Sequence, residues 1–242
     1  MKMRHYVSLA IAVLIIIGSF LLPDAVAGIT DMRRLDNLVL IDSQRINFDT
    51  APELSLAERI SLAANRGAEI LPLNTGNTMD SETAEARAIA EVTRFFHGGV
   101  FDFNYNNVQA SEGLPSLIID TLAPTNYMII WEFEIIDNLG NFVTIILDDE
   151  KGVIVRLIYR LGSGSNSLIY VGHFESQDEL FFVAAKRLSE MMTIYYGQNV
   201  ALGDYQFSGS LSYYRLDMSE SGVVIPMYGV VRATSFTINE RV

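Results

Sequence analysis

Three histidines, twenty-nine carboxylates and no cysteine are what this chain could bring to a reaction. Without cysteine there is no thiolate nucleophile, no disulfide and no cysteine metal site. His5, His97 and His173 stand far apart, and no H-E-x-x-H, G-x-S-x-G, Walker or dinucleotide-binding pattern is present. Among the acids, Glu132 and Glu134 alternate along one strand. Such a pair can do acid–base work where its surroundings split the two pKa values, but the alternation places both on a wet face. Asp148, Asp149 and Glu150 offer oxygen ligands for Ca²⁺ without the alternate spacing of a calcium loop, so a solvated turn is expected. Gly162-Ser163-Gly164-Ser165 precedes no immediate helix and no Lys, and reads as a linker rather than a phosphate cradle. No catalytic, cofactor-binding or metal-ligating residue is therefore assigned, and the chain is expected not to be an enzyme and to need no cofactor.

What must position any such residue begins with the N-terminus. Lys2 and Arg4 precede an apolar run from Tyr6 to Leu22 that Pro23 and Asp24 end. A basic stretch followed by an apolar one marks export, and the run matches the shortest bilayer-spanning helix of about 17 residues. Lys2 and Arg4 favour a cytoplasmic N-terminus. Two fates are open. Residues 1–27 remain as a single-pass signal-anchor in the cell membrane, with the rest outside, or cleavage after Ala25-Val26-Ala27 releases a secreted domain. The partner expected of residues 6–22 is the membrane itself. His5 belongs to this leader.

The net charge of −12 sets the soluble part against nucleic acid and anionic lipid headgroups. Nucleic acid is excluded as a partner, and the charge serves either a cationic partner or simply solubility. An apolar fraction of 50% is ample for a core.

Periodicity after the leader predicts an α+β chain. Residues 28–52 read as a linker with a short strand at Leu38–Ile41. A helix is expected over Pro52–Asn65, and a clearer one over Asp80–Phe96, where Ala84, Ala88, Val92, Phe95 and Phe96 form the apolar stripe. The period then falls to two. Strands are expected at Leu117–Asp120, Met128–Asp137, Phe142–Leu147 and Val153–Tyr159, with Trp131, Phe133 and Ile135 facing the core. A second long helix is expected over Ser176–Tyr196, its stripe running through Leu180, Ala184, Leu188, Met191 and Tyr195, then strands at Tyr205–Asp217 and Val223–Thr237.

The expected architecture is an N-terminal transmembrane helix, then helices packed on antiparallel sheet, arranged as a first α+β unit over 53–162 and a second over 163–242. Each unit has an acid-capped helix ending in an aromatic pair, then strands. Each also has a hairpin of similar form, Leu147-Asp148 to Gly152-Val153-Ile154 and Leu216-Asp217 to Gly222-Val223-Val224. That likeness raises an internal duplication without settling it.

Trp131-Glu132-Phe133-Glu134, Gly140-Asn141-Phe142 and Asp148-Asp149-Glu150-Lys151-Gly152-Val153-Ile154, with the helix upstream, resemble the PepSY family over about residues 80–154. The long insert between helix and strands, Gly98 to Asn126, departs from that family's compact unit. The resemblance implies an extracytoplasmic binding or peptidase-modulating module, here in a single-span bacterial envelope protein. The expected function is binding or scaffolding, with a peptide or protein taken on a sheet edge. The alternative is a cell-envelope hydrolase built on carboxylates.

Overall fold

The computed structural model of the chain describes residues 53–97, 101, 103–163 and 175–240, all within one unit, Ser43–Val242. The leader, the linker, the strand expected at Leu38–Ile41, and His5 and His173 lie outside the described residues. Among the described residues, no helix is long and apolar enough to cross a membrane.

Among the described residues, three helices and ten strands make an α+β fold. In chain order they are α1 (Leu56–Ala64), β1 (Glu69–Pro72), α2 (Ser81–Phe96), β2 (Val108–Ala110), β3 (Leu114–Ile119), β4 (Tyr127–Asp137), β5 (Phe142–Asp148), β6 (Ile154–Arg160), α3 (Gln177–Tyr196), β7 (Asn199–Ser208), β8 (Leu211–Glu220), β9 (Val223–Arg232) and β10 (Ser235–Ile238). All the strands join one antiparallel sheet in the order β1-β3-β4-β5-β6-β10-β9-β8-β7, with β2 continuing the β3 side of β4. The sheet therefore runs unbroken through both of the units expected at 53–162 and 163–242. Its seam is β6 against β10, with Tyr159 opposite Phe236 and Leu157 opposite Ile238.

Local chemistry explains the ends of the elements. Ser55 caps α1 in a reciprocal capping box with Glu58, Asp80 caps α2 through the Thr83 amide, and Ser176 caps α3 through the Glu179 amide. α3 stops at Gly197, which adopts the left-handed conformation (φ 65°) that a side chain resists. Ser221 and Gly222, both at positive φ, make the two-residue turn between β8 and β9.

The apolar stripe of α2 is buried as expected, and Trp131, Phe133 and Ile135 face the core with Glu132 and Glu134 exposed. α2 and α3 meet through Phe95 and Tyr195, whose rings are 5.4 Å apart, and α2 reaches the seam through Phe96 and Tyr159. α1 packs against β9, β6, β8 and β3. Leu73 packs with Leu117 and Ile129 in a small separate cluster that Leu71 joins.

Three expectations change. The strand expected over Tyr205–Asp217 is a hairpin, because Gly209 turns the chain at φ 63° between β7 and β8. Val223–Thr237 likewise divides into β9 and β10. The two hairpins that look alike in sequence hold different places, one joining β5 to β6 and the other β8 to β9.

Candidate functional site

The sequence expectation of a solvated acidic turn after β5 holds for Glu150 alone, which is 46% exposed. Asp148 and Asp149 are buried, because each satisfies backbone and side-chain donors that would otherwise be stranded. Asp149 accepts from the amides of Asn77 (3.0 Å), Thr78 (2.6 Å) and Met79 (3.2 Å) and from Trp131 Nε1 (2.7 Å). It thereby ties the loop before α2 to the centre of β4. Gly76 is needed in that loop, since a Cβ there would lie 2.2 Å from Asp149 Oδ1. Asp148 Oδ1 accepts from the amides of Glu150 and Lys151, and Oδ2 from buried Arg59 at 2.9 Å. Arg59 also donates to Glu150 and to the Leu54 carbonyl. Burial works against the charge on both Arg59 and Glu150, but their pairing outweighs it, raising the guanidinium pKa and lowering that of Glu150.

Two further buried carboxylates escaped the sequence. Glu91 on α2 is held by Arg87 (3.0 Å), Arg94 (2.7 Å) and the Tyr195 hydroxyl (2.6 Å). Burial, with Tyr196 and Glu91 close by, pushes the Tyr195 pKa far up, so this phenol keeps its proton and donates a hydrogen bond to Glu91. Asp137 accepts from the amides of Leu139, Asn141 and Asn104 and from Asn141 Nδ2. The alternation along β4 shows that Glu132 and Glu134 face water. It gives no sign that Asp149 is consumed by the amides of Asn77, Thr78 and Met79, that Asp137 also takes the Asn104 amide, or that Asp148 takes Arg59.

These four buried carboxylates are thus each occupied by three or four donors. A 420 Å³ cleft beside α1 holds Glu58 and Asp120, but Glu58 is engaged by Ser55 and Asp120 by the Leu122 amide. A 430 Å³ cavity between α2 and α3 is lined by Met191, Ile194, Phe95, Arg94, Tyr195 and the exposed His97. His97 caps the C-terminal end of α2, as its position in the sequence suggests. No group of three or more His, Asp or Glu suited to a metal occurs among the described residues.

What remains exposed and unspent is an edge. β7 pairs with β8 on one side and has no strand partner on the other among the described residues. The opposite edge, β1, is four residues long and ends at Pro72, which blunts it. β7 is ten residues long and mostly exposed. A bulge between Leu202 and Tyr205 interrupts it, where Arg215 gathers Asp204 (2.5 Å) and Asp217 (2.9 Å). Beyond the bulge, Phe207 lies 6.1 Å from Phe181 and Tyr205 lies 5.3 Å from Phe182. The Tyr205 hydroxyl bonds Asp178 (2.9 Å), and burial together with that carboxylate holds its pKa up at about 12.

Neither family models, nor curated proteins, nor solved structures yield a match to the chain.

Proposed function

We propose that the chain is a membrane-anchored extracytoplasmic binding or scaffolding protein that takes a partner as an added strand along β7. The observation that carries this is the ten-residue β7 edge, unpaired among the described residues, in a molecule whose buried carboxylates are saturated. An open edge offers a row of backbone donors and acceptors to an extended segment. The anchor is residues 6–22, with cleavage after Ala27 as the alternative fate. N-terminal sequencing decides between them, and a new terminus at Gly28 removes the anchor.

The proposal extends to a PepSY-like unit over residues 80–154, for which the succession of α2 and the β4–β6 meander is the support. It extends also to two related halves. Strand order favours this: counting outward from the seam, β6-β5-β4-β3 mirrors β10-β9-β8-β7, and each set follows a helix that ends in two aromatic residues.

The test is photo-crosslinking in the full-length chain in its own membrane, from Gln206 on β7 and from the exposed Glu132 on β4. An adduct with a second polypeptide at Gln206 alone is expected. Equal adducts at both positions, or none, would overturn the binding edge. A hydrolytic activity abolished by Glu91→Gln in a folded protein would favour the hydrolase instead.

A further inference from the structure

Resting on that reading of the edge, we infer that β7 captures a basic, extended peptide, paired antiparallel along Tyr205–Ser208. β3 and β7 stand at the same distance from the seam on opposite sides of it. The outer edge of β3 is not open: β1 covers it, Glu69–Pro72 pairing antiparallel with Ser116–Ile119. The molecule therefore shows what kind of strand such an edge accepts.

Register locates the counterpart on β7. Ser116–Ile119 pairs inward with Tyr127–Ile130, at the end of β4 remote from the β4–β5 turn. The matching end of β8, remote from the β8–β9 turn, is Leu211–Tyr214, and it pairs with Tyr205–Ser208. The two stretches differ in what covers them. Leu117 and Ile129 are 2% and 7% exposed, in the cluster that Leu71 and Leu73 join, whereas Phe207 and Phe182 are 39% and 44% exposed. Apolar side chains alternating along an added strand would cover those rings as the leucines cover theirs.

Charge selects the rest of the partner. Asp178 bonds Tyr205 itself, and Glu175 and Glu179 flank it at the start of α3; Asp204 on β7 is already paired with Arg215, and β7 itself carries no basic residue. With a net charge of −12 this edge disfavours a second copy of the chain and favours a cation.

The experiment uses the full chain in nanodiscs of zwitterionic lipid, and an N-acetylated peptide of eight residues alternating Lys and Val. Peptide binding is read by fluorescence anisotropy, and the β7 amides by hydrogen exchange. The expected result is new protection confined to β7 and binding that weakens with salt over the range set by a Debye length of about 8–10 Å. Phe207→Lys should weaken binding by about tenfold. Phe142→Lys, at an exposed position on β5, should leave it unchanged. Three outcomes would overturn the inference: protection, in the free protein, of the β7 amides that do not bond β8, which means the chain occupies its own edge; protection that grows with protein concentration, which means a second copy; or equal binding of a Glu/Val peptide. Failure of the Lys/Val peptide beside persistent crosslinks from Gln206 removes the basic partner and leaves the binding edge standing.

Discussion

Asp149 joins segments that lie about seventy residues apart, and it does so with one side chain. Removing it unpairs the buried Met79 amide and the buried indole N–H, each at a cost of about 1–3 kcal/mol where no water replaces it, and frees the half-buried amides of Asn77 and Thr78. Asp149→Ala is therefore expected to destabilise the domain by on the order of 4 kcal/mol in denaturant melts. A loss below about 1 kcal/mol would mean that water enters readily. Trp131 stands on the other side of the same contact and is 1% exposed. Trp131→Ala should cost about 3–5 kcal/mol, as for other core aromatics, and Trp131→Phe should cost less while still losing the bond to Asp149. The place of Trp131 is legible from alternation with Phe133 and Ile135. The fates of Asp148 and Asp149 are not, because their partners Arg59, Asn77 and Thr78 come from segments that no local pattern links to the turn.

Among the elements, helices are read best, since caps and stripes are local. Asp80 and Ser176 announce α2 and α3, and both begin one residue later. Ser55→Ala should cost about 0.5–2 kcal/mol, because the Glu58 amide loses the hydroxyl that caps it while the backbone arm of the capping box remains. Strands are read less well where turns are weakly marked. Gly209 sits between two serines and signals its hairpin, but Ala233 and Thr234 carry no turn chemistry, so β10 merges with β9 in the sequence. β1 and β2 are too short to show a period. On β4 the exposed acids should be dispensable for folding: Glu132→Gln and Glu134→Gln are expected to shift the denaturation midpoint by no more than ordinary surface changes, within about 0.5 kcal/mol. A larger loss would place these side chains in contacts of their own.

At the scale of the molecule, the α+β class is legible from the change of period, whereas the strand order is not, because it depends on pairings such as β6 with β10. Charge acts here too. Backbone and hydroxyl bonds from Ser55 lower the Glu58 pKa, while for Glu150 the opposing effect of burial is overcome by Arg59 and Lys151. Both pKa values lie below the ordinary 4.5 when folded. Their contribution is thus fully present above that value and is lost as pH falls through the folded values. Thermal melts should show stability declining below about pH 4.5, and Glu150→Gln should flatten part of that decline. An unchanged acid limb in that variant would remove Glu150 from the account.

The seam also sets an order in time. β10 is the last strand in chain order, yet it sits mid-sheet between β6 and β9, and Asn239 just after it bonds the carbonyls of Ile60 and Val155. As the chain is made, β6 must wait with a bare edge while some seventy further residues emerge, since its neighbour cannot exist sooner. Closure of so long a loop is slow, and an exposed strand edge invites wrong pairing meanwhile. A chain halted before Ser235 should accumulate as sticky, protease-sensitive half-sheets, and limited proteolysis of stalled chains would reveal a compact first meander if β6 can stand alone.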